Sequence, residues 1–134
     1  MNQRSNREPL ETFGEVLMKR LRDRAISFYD GLAQNHWKAP ALGQLQANLA
    51  SLDKQQQTIV RQCLIASLDA ALHDFLFFLQ EETDYDDRIK VVVDGVNVAT
   101  LSDGMHGELF GANGWFAKYS AYKEPFNTVK SEGG

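Results

Sequence analysis

The chain has only one cysteine, Cys63, among its 134 residues. An intramolecular disulfide is therefore excluded, and so is a zinc site built from cysteines. Cys63 stands within an apolar helical pattern with no histidine one turn away, so nothing near it in sequence would activate a thiolate. We predict a small buried hydrophobic residue at this position. The sequence predicts neither a bound metal nor a cofactor.

Positive charge is also scarce, because 14 Lys and Arg residues stand against 18 Asp and Glu residues and the net charge is −4. A nucleic-acid-binding protein needs clustered basic residues to neutralise phosphates, so this balance disfavours nucleic acid as a partner. A weakly acidic surface suits a basic protein partner instead.

No uninterrupted apolar run approaches the roughly 20 residues that a membrane span requires. Residues 1–8 are polar and precede no apolar segment of the kind found in secretory signals. These absences predict a cytoplasmic protein with no membrane partner. The phosphate-binding glycine loop, the nucleophile elbow and the paired-histidine zinc motif are missing as well, which leaves no predicted catalytic residue.

Helical periodicity runs through the first two-thirds of the sequence. The longest stretch without glycine or proline extends from Asp53 to Glu82, and Asp53 followed by Gln56 is typical of a helix N-cap. Apolar spacings of three and four residues predict two earlier helices, with Pro9 in the first turn of the first one. We therefore predict helices at about residues 9–33, 41–51 and 53–82 in a single domain, 1–134, with flexible tails at 1–7 and 124–134.

Two of these helices carry patterns that predict which side faces the core. The third helix has an apolar stripe, which we expect to be buried, formed by Val60, Leu64, Leu68, Ala71, Leu72, Phe75 and Leu79. The first helix has a basic stretch, formed by Lys19, Arg20, Arg22 and Arg24. We expect that stretch to be a solvated outer face, with a surface for an anionic ligand as the alternative.

The pattern changes after residue 87 to β-branched segments separated by turn signals. Asp94-Gly95 between two valine-rich segments is typical of a hairpin with a type I′ turn, and Asn113-Gly114 is a second turn signal. We predict an α+β fold in which the three helices are followed by a small antiparallel β-meander of three or four strands at about 88–120. The apolar stripe of the third helix would cover one face of this sheet.

The glycine-rich segment after the hairpin holds the first candidate site. Asp103, His106 and Glu108 supply two carboxylates and an imidazole within six residues, the donor types that a divalent metal accepts. Glycines that merely form turns would explain the same segment. His73 and Asp69, four residues apart on the third helix, could add an oriented histidine acting as a general base. A surface ion pair, or a histidine hydrogen-bonded at the edge of the core, would explain that spacing without any function and is the favoured interpretation.

A second candidate site lies at the end of the third helix. Five carboxylates stand within seven residues, formed by Glu81, Glu82, Asp84, Asp86 and Asp87. The first two lie at the negative end of the helix dipole, where a cationic partner would stabilise them. Phe77 projects away from the predicted stripe, so either the first helices cover it or it belongs to a homodimer or partner interface.

These features favour a non-enzymatic protein-binding module, such as an inhibitor, an immunity-type protein or an adaptor, with a basic protein as the expected partner and a homodimer as a further option. The alternative is a small-molecule or metal-dependent enzyme that uses the 103–108 loop together with His73.

Overall fold

The computed structural model describes residues 3–123 of the chain. It has the predicted α+β fold, in which helices occupy the first two-thirds and a small antiparallel sheet follows. The predicted tail at 124–134 lies outside the described residues, as do residues 1 and 2.

The first helical region is longer than predicted. It comprises α1 (Gln3–Val16), a π-helical segment (Leu17–Arg22) and α2 (Asp23–Ala33). It begins well before residue 9, so Pro9 lies inside α1 and not in its first turn. Arg7, in the added turns, forms an ion pair with Glu108 from the far end of the chain, and local sequence does not indicate such a partner.

The two following helices are confirmed. A 3₁₀ turn (Pro40–Leu42) leads into α3 (Gly43–Ala50), and α4 (Lys54–Glu81) begins after Asp53. The Asp53 carboxylate accepts a hydrogen bond from the Gln56 N–H at 2.8 Å, and the Gln56 side-chain oxygen accepts one from the Asp53 N–H at 3.0 Å. This reciprocal capping box satisfies two N–H groups that the helix itself leaves free.

The predicted hairpin is also confirmed. β1 (Val92–Val93) pairs antiparallel with β2 (Val96–Asn97). The connecting Asp94 and Gly95 have φ values of 51° and 80°. Positive φ at both central positions is what a type I′ turn requires.

The prediction of further strands is wrong. Residues Met105–Leu109 form a 3₁₀ helix, and Trp115–Tyr119 form α5. Trp115 and Phe116 are 0% and 2% exposed. Consecutive side chains of a strand point to opposite faces, so a sheet with one solvated face could not bury both. A helical turn places the two rings in the same core.

The main core lies between α1, the π-helical segment, the inner side of α4 and the chain from residue 98 to 116. A glycine at position 14 of α1 is required there, because a Cβ atom would lie 2.3 Å from the Trp115 indole. A smaller cluster formed by Tyr29, Leu32 and Leu49 joins α2 to α3. The 3₁₀ helix Met105–Leu109, and not a β layer, packs on α4, whereas β1 contacts α1.

The buried side of α4 differs from the predicted stripe. Its buried residues are Ile65, Leu72, Leu76, Leu79 and Gln80. Leu72 and Leu79 were predicted correctly, but Val60, Ala71 and Phe75 are exposed. The helix is apolar on almost every side, so its sequence contains more than one stripe with helical spacing.

The prediction for Arg22 is wrong as well. Lys19, Arg20 and Arg24 are exposed, but Arg22 is 0% exposed. Its Nε and Nη2 atoms donate to the two carboxylate oxygens of Asp69 at 2.7 and 3.1 Å, and Nη1 donates to Ser120 Oγ at 2.8 Å. The guanidinium also lies over the ring of Phe116, 4.8 Å from its centroid. Because a buried cation needs these partners, Arg22 ties the first helical region to α4 and to the end of α5.

Candidate functional site

The predicted loop around residues 103–108 is held in place by Gln80, a buried residue of α4. The Gln80 Nε2 atom donates to the Ala99 carbonyl at 3.0 Å, and its Oε1 atom accepts from the Met105 N–H at 2.9 Å. One side chain thereby satisfies a donor and an acceptor of the loop backbone. Sequence reasoning missed Gln80, although a glutamine next to Leu79 on an apolar helix was an available signal.

The structure does not bring the side chains of Asp103, His106 and Glu108 together into one cluster. Asp103 is exposed. Glu108 accepts hydrogen bonds from Arg7 Nη2 at 2.8 Å and from Ser102 Oγ at 2.7 Å. His106 instead packs its ring edge-on against Phe77, with the two centroids 5.0 Å apart. Within residues 3–123, no group of three histidine, cysteine or acidic side chains is placed to hold a metal.

His73 and His106 do come together, with ring centroids 5.1 Å apart. The His106 Nδ1 atom is buried and has no hydrogen-bond partner among the described residues. The predicted pairing of His73 with Asp69 is wrong, because the Asp69 carboxylate is engaged with Arg22. His73 Nδ1 instead lies 3.6 Å from the carboxylate of Asp74, which is longer than a hydrogen bond.

A groove of about 740 Å³ opens between α1, α5 and the chain near Glu108. Its centre is Glu11, whose carboxylate accepts hydrogen bonds from Tyr119 at 2.6 Å, from Lys118 at 2.5 Å and from Arg7 at 3.2 Å. Sequence reasoning missed this cluster because Glu11 and Lys118 are 107 residues apart.

The groove shifts the pKa values of Glu11 and Tyr119, among others of its groups. Burial opposes the charge on Glu11, but the hydrogen bonds from Lys118, Tyr119 and Arg7 outweigh it, so the pKa of the Glu11 carboxyl lies below its ordinary value. Burial and the hydrogen bond to Glu11 raise the pKa of the Tyr119 phenol. The charged groups are thus matched to one another, and the cluster joins α1 to α5.

The five carboxylates predicted as one acidic surface differ in exposure and in their partners. Glu81, Asp84 and Asp86 are exposed, and the last two lie in a π-helical turn (Glu82–Asp86) that continues α4. Glu82 is buried, with its Oε1 atom unpartnered within the described chain. Asp87 ends the turn at a φ of 54° and forms an ion pair with Lys90 at 3.1 Å.

The side of α4 that faces away from the core exposes large apolar side chains to water. Phe77, besides its contact with His106, is 44% exposed, and Phe75 and Phe78 are exposed to a similar degree. Cys63 is exposed too, contrary to the prediction of a buried residue. We define the outer face of α4 by its exposed apolar residues, which are Ile59, Val60, Cys63, Ala66, Ala70, Ala71, Phe75, Phe77 and Phe78.

By length and composition alone, the helical segment Lys54–Asp86 could cross a membrane. Its most apolar 18-residue window has a mean hydropathy of 1.4, and 22% of that window is buried. The core helix of a soluble protein passes the same test, so this finding is weak evidence for a membrane span. It does show that α4 is apolar beyond what its buried side accounts for.

Comparisons with known proteins give no match for this chain, whether with family models, with curated proteins or with solved structures.

Proposed function

We propose that this chain is a non-enzymatic protein-binding module of the cytoplasm, as an inhibitor, an immunity-type protein or an adaptor is, and that it binds through the outer face of α4. One observation carries the proposal. Nine apolar residues, three of them phenylalanines, are exposed along a single helix. Contiguous apolar surface of this kind is typical of a protein interaction site, because soluble proteins rarely leave it facing water.

The acidic end of α4 supports the same proposal. Glu81, Asp84 and Asp86 are exposed where the outer face ends. Carboxylates at the negative end of a helix dipole are destabilised, and a cationic group on a partner would relieve that repulsion. An apolar centre with a charged rim is the usual composition of an interface, and a positively charged group, whether a basic side chain or the N-terminal end of a helix, would complement this rim.

Site-specific photocrosslinking in the native host tests the proposal. A benzoylphenylalanine residue would replace exposed Phe78 on the outer face, and the same residue at exposed Leu45 on α3 is the matched control. We expect protein adducts at position 78 and none of comparable yield at position 45. Equal yields at the two positions, or none at either, would contradict binding through this face.

The paired histidines favour a second candidate function, a small-molecule or metal site at His106 and His73. It is supported by the ring contact of 5.1 Å and by the unpartnered Nδ1 atom of His106. Thermal melting with and without Zn²⁺ tests it. A melting temperature raised by Zn²⁺ in the native chain but not in His106→Ala would support this candidate, and an identical response of both chains would oppose it.

A further inference from the structure

We infer that the protein bound by the outer face of α4 is a second copy of this chain, packed antiparallel about a two-fold axis that passes between Ser67 and Ala70. This inference rests on the proposed function and specifies its partner. A symmetric pair is the commonest form of soluble oligomer, and it requires a surface that is complementary to itself. Three properties of the outer face meet that requirement.

The first property is the distribution of side-chain size along α4. Small residues occupy the middle of the face, formed by Ala66, Ser67, Ala70 and Ala71. Bulky residues lie towards its two ends, with Ile59 and Val60 on one side and the phenylalanines on the other. Small residues at a helix crossing allow the axes to approach to about 8 Å. In an antiparallel pair, each copy then places Phe77 and Phe78 against Ile59 and Val60 of the other copy.

The polar residues of the face fit the same arrangement. Asp74 is the only charged residue between positions 59 and 78 on the outer face, and Ser67 is its nearest polar neighbour along that face. Two-fold symmetry brings the Ser67 of one copy within one helical turn of the Asp74 of the other. The serine hydroxyl can therefore donate to the carboxylate, which reduces the cost of covering this charge.

The second property is charge complementarity between the ends of α4. Glu81 lies at the last turn, where the helix dipole is negative, and takes part in no ion pair within residues 3–123. The first turn is the positive end of the dipole, and its one cation, Lys54, faces α2, where it lines a groove with Tyr29 and Asp30. Antiparallel packing places the acidic end of each copy beside the positive end of the other, whereas parallel packing would place like ends together. The carboxylates that are destabilised on their own helix are thus stabilised by the other.

The third property is size. The outer face runs from residue 59 to residue 78, so it is about 30 Å long and about 10 Å wide and covers a strip of about 300 Å² in projection on each copy. The standard protein interface removes about 800 Å² of accessible surface from each partner. A ridged helix surface has more accessible area than its projection, but the contact still lies at the small end of interface sizes, where weak and transient complexes are found. We therefore expect a weak dimer with a dissociation constant in the micromolar range.

Sedimentation equilibrium on the purified chain tests the inference directly. Concentrations from about 1 to 500 µM bracket a micromolar constant. We expect the native chain to pass from monomer to dimer in this range. Ala70→Glu should weaken association by about 100-fold or more, because symmetry places the two new carboxylates close together. Ala47→Glu on α3 is the matched control and should leave association unchanged.

Cysteine pairing tests the orientation. In a Cys63→Ser background, Val60→Cys and Phe77→Cys are prepared as separate chains. Antiparallel packing predicts that only a mixture of the two forms a disulfide-linked dimer under oxidation. Parallel packing would link each variant to itself and would overturn the antiparallel orientation. Glu81→Lys would place a cation beside the positive end of the other helix and should weaken the dimer by about two- to five-fold.

The outcomes separate this inference from the proposed function. A native chain that stays monomeric throughout the concentration range overturns the dimer. If position 78 still crosslinks to a different protein in the host, binding through the outer face stands and only the identity of the partner is wrong. A monomer that gives no crosslink but cosediments with vesicles of phosphatidylcholine and phosphatidylglycerol, and loses this in Ala70→Glu, overturns both in favour of a lipid surface.

Discussion

The two sides of α4 have similar residues and opposite surroundings. Leu72 and Leu76 on the inner side are packed against α1 and the 3₁₀ helix, and no more than 3% of either is exposed. Phe75 and Phe78 on the outer side are larger and equally apolar, but water reaches them. The difference teaches that apolar character alone does not decide burial. Among the described residues, α1 and the 3₁₀ helix cover one side of α4, and its second apolar side is left facing water.

The inner side is held by polar as well as apolar contacts, and the strongest test removes the buried cation. Arg22→Met leaves the Asp69 carboxylate without its partner, so we expect the free energy of unfolding to fall by about 4 kcal/mol. Urea denaturation in dilute solution measures it. The double variant Arg22→Met with Asp69→Leu should recover much of this loss, because no charge is then left uncompensated. A single variant that loses under about 1 kcal/mol would show that the pair does not hold the core.

The direct comparison of the two sides uses one truncation on each. Leu76→Ala should lower the free energy of unfolding by about 3 kcal/mol, since it leaves a cavity in the core. Phe78→Ala removes a larger side chain, yet it should change that free energy in dilute solution by only about 0.5 kcal/mol. The same Phe78→Ala chain should associate less well at high concentration. Equal losses of stability from both truncations would contradict the distinction between the sides.

A third test concerns the contact between α4 and the loop. Gln80→Leu leaves the Met105 N–H and the Ala99 carbonyl without their side-chain partner, so we expect a loss of about 2 kcal/mol. The matched control is Gln62→Leu at an exposed position of the same helix, with an expected change within about 0.5 kcal/mol. Urea denaturation measures the free energy of unfolding of both variants. If they lose the same amount, the loop does not depend on Gln80.

The smallest expected effect concerns the groove on α1, away from both sides of α4. The pKa of Glu11 is lowered on folding, so its carboxylate stabilises the fold above the unfolded-chain pKa of about 4.3, and this stabilisation is lost as the pH falls through the folded-state value. The difference in melting temperature between the native chain and Glu11→Gln should therefore be largest near neutral pH and shrink below about pH 4. Glu15→Gln is the control on the same helix, and a pH-independent difference for Glu11→Gln would contradict the assignment.

Local signals in the sequence predicted the elements that local chemistry determines. Asp53 and Gln56 marked the start of α4, and Asp94-Gly95 marked the hairpin, because a cap or a tight turn depends on a few adjacent residues. The buried side of α4 could not be chosen in the same way. Ile65 and Phe75 fit helical spacing equally well, and the choice depends on α1 and the 3₁₀ helix, which are distant in sequence.

The candidate sites were less predictable for the same reason. The groove depends on the meeting of Glu11 with Lys118 and Tyr119, and no sequence window contains both sides. Asp103, His106 and Glu108 were grouped because they are close in sequence, but Arg7 engages one of them and Phe77 contacts another. Phe77 was singled out because it lies outside the predicted stripe, but the structure exposes Phe75, a member of that stripe, to a similar degree.

The long-range contacts of the first helical region affect how the chain folds during its synthesis. Arg7 bonds to Glu108, Gly14 accommodates Trp115 and Arg22 reaches Ser120, at sequence separations of about one hundred residues. A ribosome adds roughly 5–20 residues per second, so the first helical region waits roughly 5–20 s for these residues to be synthesised. During that interval the nascent chain exposes Leu10, Leu17 and Met18, which the finished molecule covers. Chaperones that recognise apolar segments can bind the chain during this interval, before α5 completes the core.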